Sequence, residues 1–172
     1  MNKIKLYRPI WLLFPCVIFL LFSLAYYLGY RVNVSGSLPF FFFRVIPLSS
    51  SKEIKRNDFI VLPSMQIPHS SISIAAERHY ISSRYLLLKE IAGIPGDTVL
   101  IKDDKIFIND VSRPLFIISE DSKGRILTPF PTPLVLEDNF YWLISNPQGG
   151  FDSRYFGPVN CSIFLYRAFP IF

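Results

Sequence analysis

From Pro9 to Tyr30 the chain carries no charge, and PIWLLFPCVIFLLFSLAYYLGY would present no charged face on any helix drawn through it. At about 1.5 Å per residue such a helix reaches the roughly 30 Å hydrocarbon thickness of a bilayer. The pattern predicts a single transmembrane span over 9–30, with Tyr26, Tyr27 and Tyr30 at the interface, where amphipathic rings are favoured. A cleaved secretory signal fits less well. Its apolar region is about 7 to 15 residues long and ends at small side chains, unlike SLAYYLGYRV.

After Arg31 the pattern changes to short β-rich runs between turn signals: DFIVLP (58–63), TVLI (98–101), KIFIND (105–110), PLFII (114–118), NFYWLIS (139–145) and CSIFLYRAF (161–169). TVLI and KIFIND flank Asp103-Asp104 and predict a hairpin. One stretch, SSISIAAERH (70–79), has helical character, with Ser70 or Ser71 available to cap it. The prolines of TPFPTP (128–133) oppose regular structure and predict an extended surface crossing. Together these predict one mostly β domain over 31–172 on a single N-terminal transmembrane helix, with residues 1–8 on the opposite side.

Charge orients that arrangement. Lys3, Lys5 and Arg8 precede the span, against Arg31 and Arg44 after it, so the N-terminus is expected in the cytoplasm and the β domain outside the cytoplasmic membrane. The net charge of +5 is largely topological: taking the three N-terminal cations from 18 Lys and Arg leaves 15 against 13 Asp and Glu. No basic run of the kind that binds nucleic acid is present, so the bilayer and not nucleic acid is the expected partner. Cys16 and Cys161 are too distant in role to suggest a disulfide. With two histidines and no HExxH or CxxC spacing, neither a metal nor a cofactor is expected.

Two stretches raise questions of chemistry. In SGSLPFFFFR (35–44) the smallest residues stand beside four phenylalanines. Strand alternation would send Phe40 and Phe42 to one face and Phe41 and Phe43 to the other, one pair to the core and the second to the core or to an apolar rim at the membrane. In YLLLKEIAGIPGD, an extended chain would align Leu87, Lys89 and Ile91 on one face with Glu90 on the other, making Lys89 the charged member of an apolar row. Desolvation disfavours an ammonium, so such a lysine can act as a general base for a serine hydroxyl; the alternative is that Lys89 snorkels to water or pairs with Asp97. A Ser37, His79 and Asp152 trio is also available, but any chain of this length offers one.

The order and spacing of four boxes narrow the choice: SGSLP (35–39), NDFIVLPS (57–64), RYLLLKEIAGIPGDTV (84–99) and FDSRYFGPV (151–159). They resemble the signature boxes of the type I signal peptidases, a serine-lysine protease family with a β-rich domain on an N-terminal anchor. The short length and the SNPxxxxDSRYFGPV ending are most similar to the conjugative-transfer, TraF-type branch, which processes a pilin subunit and in some systems cyclises it.

The resemblance implies that Ser37 is the nucleophile and Lys89 the general base. It also implies that Ser35 and the backbone N–H of Ser37 stabilise the oxyanion, with Gly36 between them leaving room for substrate. Leu38 stands where methionine is usual, and Leu86, Leu87 and Leu88 would line the path of an extended substrate. Asp152 and Arg154 match a supporting charged pair, two apart on one side of an extended strand. The serine that bonds the lysine in many relatives is replaced here by Gly150, so Asn146, Ser153 or Asp152 is expected to orient Lys89 instead. The implied activity is endoproteolysis of a membrane-anchored preprotein or pilin precursor at small-residue sites outside the cytoplasmic membrane. The competing class is a non-catalytic, membrane-spanning assembly protein that docks components of a secretion or transfer apparatus.

Overall fold

A computed structural model describes residues 13–33, 38–50, 54–67, 70–81, 86–145 and 150–171. The first element, α1 (Leu13–Tyr27), is a helix of 15 residues inside the expected span, about 22 Å long at the usual rise. Among the described residues no helix is long and apolar enough to cross a membrane. The expected span runs past α1 at both ends, and residues 9–12 lie outside the described ones.

The rest is mostly β. A seven-stranded antiparallel sheet contains β1 (Tyr30–Val32), β2 (Phe42–Pro47), β3 (Phe59–Pro63), β4 (Leu86–Gly93), β9 (Phe140–Ile144), β10 (Val159–Asn160) and β11 (Tyr166–Pro170), in the order β1-β2-β11-β3-β4-β9-β10. A second antiparallel sheet, ordered β7-β6-β5-β8, is formed by β5 (Thr98–Lys102), β6 (Lys105–Ile108), β7 (Val111–Phe116) and β8 (Leu134–Val135). Two short helices, α2 (Ser70–Glu77) and α3 (Ser153–Phe156), complete the domain.

Side-chain alternation divides the interior into three clusters. Ile60 and Leu62 of β3, Ile91 of β4, and Tyr141 and Leu143 of β9 point to the largest, where they meet Ile72 and Ala75 of α2 and Tyr155 and Phe156 of α3. Their neighbours point the other way. Ala92 and Trp142 join Val99, Ile106 and Leu115 between the sheets, while Val61 joins Leu38, Phe43 and Ala168 in a small third cluster.

Two tight turns shape the smaller sheet. Asp103 and Asp104 both have positive φ between β5 and β6, the mirror-image turn that suits the twist of a hairpin. Asn109 and Asp110 repeat it between β6 and β7, so the expected strand over 105–110 stops at Ile108. The C-terminal run 161–169 is also shorter than its composition suggests: residues Cys161–Ile163 form a 3-10 turn before β11.

The phenylalanine run departs from simple alternation. Phe40 and Phe43 pack edge-on against each other, at 6.0 Å between centroids, and both against Phe59. Phe41 and Phe42 are exposed, at 70% and 50%. The reason is local: Phe41 occupies a bend and β2 begins at Phe42, so the two-residue period does not run through the whole stretch.

Candidate active site

Lys89 lies in the middle of β4, opposite Ile60 of β3. Its flanking residues obey the strand period: Leu87 and Ile91 belong to the largest cluster, Leu88 packs on the small one, and Glu90 is half-buried. Lys89 itself is only 4% exposed, which excludes snorkelling. Among the described residues its ammonium makes one hydrogen bond, donated to the Phe151 carbonyl at 2.9 Å, and no ion pair. Burial dominates, lowering its pKa from 10.5 to about 8; the negative Asp152 opposes that fall and the positive Arg154 adds to it.

Asp97 is not the partner of Lys89. Its carboxylate accepts from Arg56 at 2.8 and 2.9 Å, from the Asn109 amide at 2.7 Å and from the Ile94 N–H at 2.7 Å. Although burial pushes its carboxyl up, these donors hold it below the usual range. The group is a structural clasp at the turn between the two sheets.

The carboxylate near Lys89 belongs to Asp152, and it too is occupied. Arg154 binds it through Nε and an Nη, both at 2.8 Å, with both side chains fully buried. The expectation of an extended strand here is corrected by the structure. Asp152 caps α3, accepting the Arg154 N–H, and Gly157 ends the turn at φ +80, where a Cβ would run into the Phe130 ring. A helical turn still brings the pair together because the arginine side chain folds back on its own cap.

α3 also completes β9. β10 pairs only with Phe140 and Tyr141, and beyond it the Leu143 N–H donates to Ser153 Oγ at 2.9 Å and the Ser145 N–H to Asp152 at 2.9 Å. The DSR triplet thus supplies side-chain oxygens where the ladder runs out of strand. Arg154 reaches further, donating to the carbonyls of Gly150 at 2.8 Å and of Phe116, the last residue of β7, at 2.7 Å. Tyr155 Oη adds hydrogen bonds to the N–H and carbonyl of Ile118.

Of the residues expected to act in the site, Ser35, Gly36, Ser37 and Asn146 lie outside the described residues. Leu38 and Leu88, the chain neighbours of Ser37 and Lys89, belong to one apolar cluster. Asn33 and Phe41, which lie on either side of residues 34–37 in the chain, are tied by the Asn33 N–H to the Phe41 carbonyl at 2.7 Å, and the Asn33 amide donates to the Phe40 carbonyl at 3.1 Å. Leu86 is exposed, and Leu87 and Leu88 are half-buried. β9 joins β4 only from Glu90 onward, so among the described residues no strand pairs with Leu86–Leu88 on that side. Ser153 is committed to β9 and Asp152 to Arg154, so among the described residues the group that holds Lys89 is one the sequence does not disclose: a main-chain carbonyl. Phe151, which carries it, stacks on Tyr155 and lines a cleft of about 370 Å³ with Tyr80 and Asp121. His79 is exposed at the end of α2.

A buried lysine without a carboxylate, set beside a DSR turn in this chain order, matches a known family along nearly the whole sequence. The family model described as signal peptidase, peptidase S26, covers residues 4–172. The chain belongs to the S26 signal peptidases. It is 32% identical over 152 residues to a conjugal transfer protein TraF of Agrobacterium fabrum, covering 84% of this chain and 82% of that protein. A plasmid transfer protein TraF of Escherichia coli is 28% identical over 147 residues, with 80% and 79% covered. Among solved structures, a signal peptidase I from Enterococcus faecalis is 25% identical, covers 67% of this chain and 96% of its own, and superposes with a TM-score of 0.38. Within the S26 family this chain is thus a mostly β signal-peptidase-like protein with conjugal-transfer relatives.

Proposed function

We propose that the protein is a membrane-anchored serine endopeptidase that cleaves a leader or pilin precursor on the outer side of the bacterial cytoplasmic membrane. Ser37 is the nucleophile, Lys89 the general base, and Ser35 with the Ser37 N–H the oxyanion donors, each typically worth about 2.7 to 4 kcal/mol. The observation that carries this reading is Lys89: buried, held by a neutral carbonyl, and lowered to about 8 by the loss of water. A neutral amine takes the Ser37 proton as the hydroxyl attacks the scissile carbonyl, then returns it to the leaving amine as the acyl-enzyme forms. Water resolves the ester to an acid, or the substrate's own amine resolves it to a ring.

The side of Leu86–Leu88 with which no described strand pairs supports binding of an extended substrate by strand addition, with apolar side chains beside it to select small residues. Exposed Phe19, Leu20 and Phe22 on α1, together with Phe41, Phe42 and Val32 near its end and the cations Arg31 and Arg44, support an apolar setting at a lipid surface.

The test is processing, in membranes, of an anchored precursor with an Ala-x-Ala site. Ser37→Ala and Lys89→Ala each lower cleavage by on the order of a thousandfold while circular dichroism stays unchanged. Normal processing by both variants would leave the protein a non-catalytic assembly component. Mass spectrometry of the product separates the two fates of the acyl-enzyme, a ring being lighter by one water.

A further inference from the structure

Ser145 is 3% exposed at the end of β9 and has no role in the reading above. Three observations set it beside the strand position of Lys89, although the hydrogen bonds of its N–H and Oγ go to Asp152. The β4–β9 register pairs Glu90 with Ile144, so one step along the antiparallel ladder sets Ser145 opposite Lys89; opposite residues share a face with Cβ atoms about 4.5 to 5.5 Å apart. Its Oγ donates to Asp152 Oδ2 at 2.9 Å, beside the bond that its own N–H makes to the same oxygen. And a Cβ built on Gly150 would overlap Ser145 Oγ outright and lie 2.7 Å from Ser145 Cβ. A side chain at 150 and the Ser145 hydroxyl therefore exclude one another.

We infer that Ser145 is a positioning residue for the general base, its hydroxyl filling the space left open at Gly150, fixing the Asp152 carboxylate and presenting its oxygen to Lys89 from the opposite strand. The inference rests on Lys89 being that base. A neutral amine has two N–H bonds and one lone pair. The Phe151 carbonyl takes one N–H. Ser145 Oγ, whose proton is given to Asp152, keeps lone pairs for the second. With both hydrogens held, the lone pair has one remaining direction, which the variants below test. The charged groups that act on Lys89 are Asp152 and Arg154, both of the α3 turn, while β3 presents Ile60 across from it.

The experiment uses the full chain in membranes with the anchored Ala-x-Ala precursor, comparing Ser145→Ala, the reciprocal swap Ser145→Gly with Gly150→Ser, and Ser145→Gly with Gly150→Ala. Folding is followed by thermal melting. Expected is a kcat roughly ten- to a hundredfold lower for Ser145→Ala with KM unchanged, recovery to within a few-fold when serine is placed at 150, and no recovery with alanine there. Rescue by Gly150→Ala equal to that by Gly150→Ser would reduce Ser145 to a space-filler and overturn the inference, as would an unchanged kcat in Ser145→Ala. Competitive labelling of Lys89 with trace acetic anhydride across pH adds a readout that needs no substrate: the apparent pKa moves in Ser145→Ala and returns in the serine swap. If instead wild type shows no processing that depends on Lys89, the reading of the base fails first and takes this inference with it.

Discussion

Of the described aspartates that arginines hold, Asp97 and Asp152 do opposite things to their surroundings. At the turn between the sheets, Arg56 and Asn109 satisfy Asp97, and every charge in the group finds its counterpart. At α3, Arg154 satisfies Asp152 just as fully, but a second cation lies close by and is left over. The first clasp ends in structure. The second, by consuming the carboxylate that Lys89 would otherwise pair with, leaves that lysine one carbonyl among the described residues, and burial lowers its pKa to about 8. A salt bridge can therefore serve a reactive group by what it withholds.

Breaking the two clasps tests the contrast, beginning where the effect is largest. Arg154→Ala strands a fully buried carboxylate and should cost about 3–5 kcal/mol in denaturant unfolding. In whatever fraction folds, Lys89 becomes the cation nearest Asp152, so the pH at which activity appears moves up from about 8. Arg56→Ala removes a partner whose side chain is 28% exposed, and water can replace part of what is lost. The expected cost is about 1–2 kcal/mol, with the pH profile unmoved.

Lys89 supplies the sharpest sign. Its folded pKa, about 8, lies below the unfolded value of 10.5, so between them the unfolded chain binds the extra proton. Stability should accordingly rise as pH increases from about 8 to 10.5, the full cost of burying the ammonium being present below that window. Lys89→Met should flatten this slope and raise unfolding stability at pH 7 while abolishing cleavage. In the wild type, kcat/KM should climb through an acid limb centred near 8.

How much of this could be read from residues alone depends on the range of the forces involved. DFIVLP, TVLI and NFYWLIS became β3, β5 and β9 nearly as their composition predicts, because β-branched runs between turns settle their own conformation. α2 was legible for the same local reason. β2 was not, since FFFF has no polar residue to mark which face is which. Nor was α3, a four-residue turn too short for any period and set by the Asp152 cap and the close fit of Gly157 to Phe130. Lys89 stood out as a cation in an apolar row. Its carbonyl partner did not, because every residue has one. Gly150 signalled that a side chain was missing, but which residue fills the gap depends on strand register.

The place of β11 has a consequence in time. It is the last strand in chain order, yet it lies between β2 and β3, and its Ala168 sits at the centre of the cluster that holds Leu38 and Leu88. Among the described residues, β1 and β2, which precede and follow residues 34–37 in the chain, are hydrogen-bonded to the Lys89 half of the sheet only through it. During folding the two halves must wait for β11 before they become one surface, so the sheet is continuous only once that late strand is in place.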